Sequence, residues 1–396
     1  MVFFRFTCTS CGKATEEEAL RCPLCDEPMD VEADLPSSFP PVKPKETLME
    51  RFRDFFPFAD PRSDLSLGEG FTPLVDMEAL GRSFGLSSLW AKNEGANPTW
   101  SFKDRGTLTG VIHAMEMGYD RIGTVSTGNM AASVAAYGAR AGIETVVLVN
   151  KGLPREKLGP IAMYGPRLIK VDGDYGRLYH ESLRIGKKLG IYFINSDAPF
   201  RVIGSKTISY EIWEQLNRSV PDWVVVPVSA GGNLRGIVQG FVDLVSMGLL
   251  NRLPRFLVVQ AEGCSPIVKA FEEGAEKVRR FDSPHTVAHA IENPFPPSGN
   301  QVLRLVRANG WSCKAVSEDS IIEAQRALAF NGLFVQPASA VALAGLKKAM
   351  ADGTVEQGQS AALILTGAGL KYTAVFGQHD LSWTQCSLDK LEKALR

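Results

Sequence analysis

The sequence predicts an α/β protein with two parallel-sheet domains and a small cysteine-containing segment at its N-terminus. Three observations carry this prediction. Runs rich in Val and Ile alternate with amphipathic stretches of helical period over most of the chain. Small polar loops directly follow three of the apolar runs. Four of the seven cysteines lie within the first 25 residues, and a length of 396 residues suits two domains.

The N-terminal cysteines form two CxxC pairs, Cys8-x-x-Cys11 and Cys22-x-x-Cys25. Two such pairs can place four thiolates tetrahedrally around one zinc ion. A redox-active pair or a disulfide is the competing interpretation, but no apolar stretch resembles a secretion signal, which favours a structural metal. We therefore predict a zinc-ribbon-like segment over residues 1–35 with these four cysteines as ligands.

The stretch that follows, DLPSSFPPVKPKE, is rich in proline and serine. This composition is typical of a linker rather than of a packed element. We predict a linker over residues 36–60.

Three of the predicted strands end in loops of small residues. RIGTV leads into STGN (126–129), WVVVPV leads into SAGGN (229–233), and AALIL leads into TGAG (366–369). Ligands of open α/β sheets bind at the carboxyl ends of the strands. The three loops are therefore expected to face one ligand.

The loop SAGGN is suited to a phosphate group. Glycines after an apolar strand let backbone amides approach an anion, and the next helix presents its positive N-terminal end. A tight strand-to-helix connection without a ligand is the alternative. The loop has neither the GxGxxG spacing of dinucleotide folds nor the GK[ST] ending of P-loops, which disfavours nicotinamide cofactors and ATP.

One lysine stands out in the stretch NPTWSFKDRG. Lys103 follows a turn and lies where a helix is expected to begin. An amine in a desolvated pocket beside a phosphate site suits a Schiff-base cofactor, so the sequence predicts pyridoxal 5'-phosphate. Asn129 is suited to the cofactor's phenolic oxygen, and the hydroxyl of Thr366 to its pyridine nitrogen. Asp104 is expected to complement the helix dipole and Trp100 to pack beside the lysine.

Composition restricts the partners. A net charge of -1 and 22% charged residues give no electrostatic footprint for nucleic acid. No stretch reaches the apolar length that crosses a bilayer. We predict a cytoplasmic protein that acts on a small molecule, without a nucleic-acid or membrane partner.

Five motifs together resemble one enzyme family. NPTWSFKDRG, STGN, SAGGN, QPASA (336–340) and LTGAGLK follow one another between residues 67 and 371. In this order they resemble the fold-type II pyridoxal phosphate enzymes and, among them, the threonine synthases, some of which carry a zinc-ribbon-like N-terminus. The resemblance implies a homodimer with the cofactor in a cleft between two α/β domains. The large domain is expected to comprise 61–106 and 201–385, with the small domain, 107–200, inserted in it.

The resemblance also implies a role for each motif residue. Lys103 would bind the cofactor covalently and move protons, Asn129 would contact the phenolic oxygen, and Thr366 would face the pyridine nitrogen. The cofactor phosphate would be held by Gly231, Gly232, Asn233 and Leu234. The substrate carboxylate would meet Ser126 and Thr127. The phosphate of O-phosphohomoserine would be held by Asn195, Ser196 and Arg201, with the arginine as a bidentate clamp.

Four residues depart from the threonine synthase pattern. Met130 stands where a threonine is usual, Ile203 and Ser205 replace Glu and Gln, and Gln336 replaces Glu. Each departure removes a polar or charged group near the cleft. They keep an alternative open, the β-replacement of O-phosphoserine with sulfite, as in the related cysteate synthase.

The predicted reaction converts O-phosphohomoserine and water to threonine and phosphate, which makes the protein a pyridoxal phosphate-dependent carbon-oxygen lyase. A serine or threonine dehydratase is a further alternative, but it would not need the clamp at Arg201. An inactive enzyme body used for binding nucleic acid or protein is disfavoured because Lys103 and its expected cofactor partners are all present.

Overall fold

The chain folds into strands and helices that alternate over most of its length. The computed structural model describes residues 4–17, 19–152, 155–173, 175–379, 381 and 383–396. The strands are β1 (Phe4–Cys8), β2 (Ala14–Thr15), β3 (Met29–Ala33), β4 (Leu74–Asp76), β5 (Ser88–Asn93), β6 (Arg121–Val125), β7 (Glu144–Asn150), β8 (Arg167–Val171), β9 (Tyr192–Phe193), β10 (Trp223–Pro227), β11 (Arg255–Ala261), β12 (Ser312–Val316) and β13 (Ser360–Leu365).

The α-helices cover both parallel sheets. They are α1 (Leu48–Arg51), α2 (Glu78–Ser83), α3 (Lys103–Glu116), α4 (Asn129–Ala141), α5 (Arg155–Ala162), α6 (Tyr175–Leu189), α7 (Pro199–Gly204), α8 (Lys206–Gln215), α9 (Gly232–Ser246), α10 (Pro266–Glu272), α11 (Gly299–Ala308), α12 (Glu318–Phe330), α13 (Pro337–Ala351) and α14 (Leu391–Leu395). Among the helices that the structure describes, none is both long and apolar enough to span a membrane.

Three sheets result. The N-terminal sheet is antiparallel, with strand order β2-β1-β3. The large sheet has the order β12-β11-β10-β13-β5-β4 and is parallel except for the edge strand β4, which runs antiparallel to β5. The small sheet, β8-β7-β6-β9, is wholly parallel. The predicted α/β class with two parallel sheets is thus confirmed.

The central strands show why the sequence folds this way. Every residue of β10, with the sequence WVVVP, is buried, and so are all residues of β11 except its first. Parallel strands covered by helices on both faces read as continuous apolar runs rather than as alternating ones. Two layers of helices around the large sheet are therefore required by its strand sequences.

The predicted linker, 36–60, packs against the body of the enzyme in both of its halves. Helix α1 begins after Thr47, whose side chain forms a reciprocal capping box with Glu50. Phe52 is fully buried and packs with Phe55 against Tyr210 of α8. Phe39 packs on the same tyrosine. Proline and serine dominate the beginning of this segment, but its aromatic residues provide enough apolar area to pack.

Candidate active site

Four loops meet at the carboxyl ends of parallel strands. Strands β5, β10 and β13 belong to one sheet and run in the same direction, so their ends share an edge. The chain leaves β5 and reaches Lys103 at the start of α3. The backbone amide of Phe102 donates to the carbonyl of Thr366 at 3.1 Å, and Ser101 pairs with Gly367. The predicted lysine and the predicted TGAG loop are therefore adjacent.

Lys103 is partly buried at the first position of α3. Burial lowers the pKa of its amine to about 7, and the positive charge of Arg201 contributes to the same shift. A lysine with this pKa is uncharged in a large fraction of molecules at neutral pH. Its amine can therefore act as a nucleophile and can accept or give a proton under ordinary conditions.

Asn129 is the first residue of α4, and its side chain is hydrogen-bonded to that of Gln336. Its Nδ2 donates to Oε1 of Gln336 at 3.1 Å. Gln336 directly precedes α13, and its backbone amide donates to the carbonyl of Gly367 at 3.1 Å. The contact joins the STGN loop at the end of β6 to the TGAG loop at the end of β13. Two of the three loops thus meet directly.

The hydroxyl of Thr366 lies 3.0 Å from that of Ser339, and either group can donate. Ser339 also accepts from the backbone amide of Gly367 at 2.8 Å. The single hydroxyl hydrogen of Ser339 can go to the carbonyl of Gly367, 3.0 Å away, or to Thr366. In the second arrangement, the hydrogen of Thr366 is free to point towards an acceptor. An unprotonated pyridine nitrogen is an acceptor of this kind.

The SAGGN loop has the geometry of a phosphate cradle. Gly231 has a φ of +97°, in the left-handed region that favours glycine. A Cβ on Gly232 would lie 2.4 Å from the carbonyl oxygen of Ser196, so only glycine fits there. Neither Nδ2 nor Oδ1 of the buried Asn233 amide has a hydrogen-bond partner within the described part of the chain. Leu234 is fully buried and anchors the start of α9.

These features fit a bound phosphate. A buried amide without partners is costly, and a phosphate oxygen would satisfy its donor. Glycines leave the backbone amides at the start of α9 open to an anion, which the positive end of the helix also favours. The loop therefore suits the phosphate of pyridoxal phosphate, with Lys103 as the amine that bonds it.

Arg201 lies on α7 and is only 4% exposed. Its Nη1 donates to Oγ1 of Thr107 at 2.9 Å, and it forms no ion pair with a carboxylate of the described residues. Burial lowers the pKa of its guanidinium to about 10, an effect that the charge of Asp104 only partly offsets, so the group still carries its charge at neutral pH. A buried charge without a paired counter-ion is unfavourable until an anion binds.

Two other buried cations near Lys103 are paired, in contrast. Arg105 is fully buried and pairs with Glu94 at 2.7 Å and with Glu211 at 2.5 Å. Lys92, also fully buried, pairs with Glu211 at 2.6 Å. Two cations and two carboxylates thus compensate each other close to the start of α3. Arg201 differs from both of these cations, since it has no ion pair among the described residues.

Helices α3 and α7 cross closely, and this crossing places Arg201 beside Lys103. A Cβ on Gly106 of α3 would lie 2.4 Å from the carbonyl oxygen of Arg201. A Cβ on Gly204 of α7 would lie 2.5 Å from the carbonyl oxygen of Arg105. The two helices therefore touch through their backbones, which brings the cation of α7 to the start of α3.

The structure adds to one prediction about the neighbours of Lys103 and contradicts another. Asp104 lies in the first turn of α3, as predicted, but it also has specific partners. It is fully buried and accepts from the amide of Thr99 at 2.7 Å and the hydroxyl of Ser133 at 2.6 Å, and burial raises its pKa. Trp100 does not pack, because it is 53% exposed and its backbone adopts a φ of +64°.

Sequence reasoning also missed Lys371. Its Nζ donates to the carbonyl of Thr99 at 2.6 Å, and burial lowers its pKa to about 8. Thr99 in turn donates to Asp104 through its hydroxyl at 2.5 Å. Contacts between residues so far apart in the chain leave no local signal in the sequence, apart from the lysine at the end of LTGAGLK.

The other residues predicted to bind the substrate lie in two segments of the chain, one after β6 and one after β9. Ser126 and Thr127 lie in the loop between β6 and α4, where Ser126 accepts from the amide of Gly128 at 3.3 Å. Ser196 contacts the cradle through its carbonyl, as described. Asn195 is used otherwise, since its Oδ1 accepts from the amide of Val125 at 3.1 Å and its Nδ2 donates to Ser182 at 3.2 Å. Both ends of this buried amide fasten β6 to α6, and its contact with the substrate phosphate stays a prediction.

The four N-terminal cysteines converge. All four Sγ atoms lie within 4.8 Å of one another, with 3.5 Å between Cys8 and Cys25 and 3.6 Å between Cys11 and Cys22. All four are free thiols, so the disulfide alternative does not describe this structure. The arrangement is suited to one tetrahedrally coordinated metal ion.

Known proteins share both the sequence and the fold. Residues 65–367 match the family model of pyridoxal-phosphate dependent enzymes. The threonine synthase of Methanocaldococcus jannaschii is 38% identical over 359 residues, which covers 90% of this chain and 89% of that protein. The threonine synthase of Methanosarcina acetivorans is 35% identical over 377 residues, covering 93% and 92%.

Solved structures show the same fold at lower identity. A threonine deaminase from T.th. has a TM-score of 0.62 at 24% identity, covering 79% of this chain and 94% of that one. Maize serine racemase has a TM-score of 0.65 at 21% identity, covering 82% and 94%. The chain belongs to the fold-type II family of pyridoxal-phosphate-dependent enzymes and, within it, to the group of the threonine synthases.

Proposed function

We propose that this protein is a threonine synthase, a lyase that converts O-phosphohomoserine and water to threonine and phosphate. The observation that carries the proposal is the buried guanidinium of Arg201, which lies beside Lys103 and forms no ion pair with a carboxylate of the described residues. An amino acid with a phosphate group supplies the missing anion. A neutral amino acid would leave the charge of Arg201 uncompensated, which disfavours a serine or threonine dehydratase.

Pyridoxal phosphate supplies the electron sink for carbanions next to the amino group of the substrate. The residues suited to hold it are Lys103, Asn129, Gly231, Gly232, Asn233, Leu234 and Thr366. Ser126 and Thr127 are proposed to bind the substrate carboxylate, while Ser196 and Arg201 bind the phosphate. This division keeps two phosphates apart, one in the glycine cradle and one at the arginine.

Lys103 is proposed to move the protons of the reaction. Its amine takes a proton from Cα and one from Cβ, the phosphate leaves Cγ with the bonding electron pair, and Cγ gains a proton. Cβ receives the hydroxyl of water, Cα regains its proton, and the remaining proton of water ends on the released phosphate. An amine with a pKa of about 7 both accepts and returns protons at neutral pH, which suits this sequence.

The residues that depart from the threonine synthase pattern have local explanations. Ile203 is 4% exposed and belongs to the main hydrophobic cluster. Ser205 is 4% exposed and lies against α9, where a Cβ on Gly236 would be 2.6 Å from its own Cβ. Gln336 accepts the hydrogen bond of Asn129. These three changes serve packing and positioning rather than a different substrate.

Met130 is the departure that favours the alternative substrate. Its Sδ lies 3.8 Å from the hydroxyl of Ser196, within the proposed anion site. Thioether sulfur is a weaker partner for phosphate than a hydroxyl. O-Phosphoserine with sulfite would use the same clamp at Arg201, so this β-replacement remains the second candidate.

Product identification separates the candidates. The holoenzyme is incubated with O-phosphohomoserine, with O-phosphoserine with and without sulfite, and with serine or threonine as neutral controls. We expect threonine and phosphate in equal amounts from the first substrate. Cysteate from O-phosphoserine and sulfite would favour the alternative, and 2-oxo acids from the neutral amino acids would refute the role of the clamp.

We further propose that the four cysteines bind a structural zinc ion. Their mutual distances and the burial of Cys8 and Cys22 support this, since four thiolates complete one tetrahedral site. Metal analysis should give about one zinc per chain. Replacing Cys8 and Cys22 by serine together should remove the metal, and a fully folded N-terminus without any metal would contradict the assignment.

A further inference from the structure

The N-terminal cysteine module, residues 4–17 and 19–33, docks on the catalytic body. Arg235 of α9 donates to the carbonyl of Met29 at 2.8 Å and pairs with Asp30. Arg304 of α11 pairs with Glu27 at 3.1 Å. Both arginines belong to helices that connect strands of the large sheet. The module is therefore a fixed part of the enzyme and not a tethered appendage.

A second set of contacts reaches the segment 195–201, which carries the proposed anion clamp. Nη1 of Arg21 donates to Oδ2 of Asp197 at 2.6 Å. Phe4 and Phe6 pack edge-on against Phe200, with ring centroids 5.3 and 6.0 Å apart. Phe200 directly precedes Arg201 in the chain. The cysteine module thus touches the clamp segment on both sides of Ala198, where α7 begins.

Arg21 connects the second CxxC turn, which holds two of the predicted metal ligands, to Asp197. It directly precedes Cys22, and its backbone pairs with Pro28 across the second CxxC turn. Its Nε donates to Oδ1 of Asp26, 3.0 Å away in that same turn. The position of the guanidinium therefore depends on the fold of the turn that holds two of the four cysteines.

Asp197 connects this arginine to the clamp. It is 2% exposed and also accepts from the hydroxyl of Tyr179. Its neighbour Ser196 contacts Gly232 of the cradle, and Arg201 follows one helical turn later. A hydroxyl cannot compensate the charge of a buried carboxylate. Without Arg21, Asp197 would thus place an uncompensated negative charge in the segment that has to receive a phosphate.

We propose that Arg21 is a positioning residue through which the cysteine module sets the affinity of the enzyme for its phosphorylated substrate. The pair of Arg21 and Asp197 fixes the start of α7 and cancels a negative charge near Arg201. Loss of the metal would loosen the turn around Cys22 and release this pair. This inference rests on the proposed anion site at Arg201, and it assigns the N-terminal module a role in substrate binding.

The test compares Arg21→Met with the matched control Arg304→Met. Both variants remove one cation between the module and the body, but Glu27, the partner of Arg304, lies outside the clamp segment. For each holoenzyme we would measure zinc content, the absorbance of the bound cofactor, KM and kcat for O-phosphohomoserine, and the rise in Tm caused by inorganic phosphate. Because the cofactor fills the cradle, added phosphate reports on the clamp.

Arg21→Met is expected to keep zinc and cofactor, to raise KM about tenfold with kcat changed by less than about threefold, and to lose most of the phosphate-induced rise in Tm. Arg304→Met should leave KM unchanged, and Arg21→Lys should restore part of the affinity. Asp197→Asn approaches the same contact from the body. Combined with Arg21→Met, it should lower KM relative to Arg21→Met alone, because the uncompensated carboxylate is gone. Removing zinc with a chelator should raise KM in the wild type but not in Arg21→Met.

The outcomes separate this inference from the proposed function. If phosphate stabilises Arg21→Met as much as the wild type, or if Arg304→Met shows the same rise in KM, the coupling is refuted while the clamp stands. If phosphate stabilises neither the wild type nor the variants, the anion site is wrong and the coupling falls with it. If the wild type binds phosphate but does not turn over O-phosphohomoserine, only the proposed substrate is wrong, and the Tm comparison still decides the role of Arg21.

Discussion

Replacing Arg201 by methionine removes the charge of the proposed clamp and keeps most of its volume. The guanidinium has five N–H donors, of which the one that bonds Thr107 is the only one engaged within the described residues. A bidentate, charge-assisted contact with phosphate in a buried site contributes about 2 to 4 kcal/mol. We expect kcat/KM for O-phosphohomoserine to fall roughly 30- to 1,000-fold. Arg201→Lys should recover only a part, because an ammonium cannot bind two oxygens side by side.

The assay is phosphate release at substrate concentrations well below KM, with cofactor absorbance as the control. The cofactor should remain bound, since its own phosphate occupies the cradle at Gly231. The reasoning fails if kcat/KM stays within about threefold of the wild type, or if turnover of a neutral amino acid falls equally. Either result would mean that Arg201 supports the fold and does not bind the substrate anion.

The same substitution should also change the pKa of Lys103. Burial and the charge of Arg201 both lower that pKa, to about 7. Only the neutral amine attacks the cofactor aldehyde, so the rate at which apoenzyme captures cofactor should rise with pH and reach half its maximum near pH 7. Without the charge of Arg201, the midpoint should move to higher pH. An unchanged midpoint would contradict the proximity of the two cations.

Three further predictions concern Lys103 and two residues close to it. Lys103→Ala should abolish both the visible absorbance of the bound cofactor and turnover, while the far-ultraviolet circular dichroism stays unchanged; activity near the wild-type rate would refute its assignment. Gly106→Ala should lower kcat/KM by more than about tenfold. The new methyl group would lie 2.4 Å from the carbonyl oxygen of Arg201, so it must push α3 and α7 apart. A crystal structure of the variant would show this shift directly. Gln336→Leu should weaken cofactor binding about fivefold in a titration of the apoenzyme, since Asn129 loses its partner, whereas Gln336→Glu keeps an acceptor and should bind nearly as the wild type does.

The features that follow from chain periodicity could be predicted from the sequence. Strands of continuous apolar residues followed by helices require parallel sheets, and parallel strands bring their terminal loops to one edge. This is why the STGN, SAGGN and TGAG loops are expected to face one ligand. The glycines at 231 and 232 were predictable for the same reason, since a close backbone approach to an anion allows no side chain there.

The features that depend on contacts between distant segments could not be predicted. Asn195 looks like a substrate residue in the sequence, but the amide of Val125 and the hydroxyl of Ser182 use its side chain. Likewise, Asp104 gains its role from Ser133, which lies on another helix. Polar residues next to a motif have the same local sequence whether they face the ligand or the core, and only their tertiary partners decide between the two.

Charge balance gives the strongest physical reason to place the substrate where we do. The enzyme buries several cationic side chains close to the start of α3, and two of them, Lys92 and Arg105, are compensated by Glu94 and Glu211. Burial costs Lys103 less, because its pKa of about 7 leaves the amine uncharged in a large fraction of molecules at neutral pH. Arg201 does not lose its proton near neutral pH, because its pKa remains at about 10. It therefore stays charged in a site whose described residues offer it the hydroxyl of Thr107 and the partial compensation of Asp104. The free energy that this costs the unliganded protein is recovered when a phosphorylated substrate binds. An enzyme for neutral amino acids would gain nothing from keeping that charge.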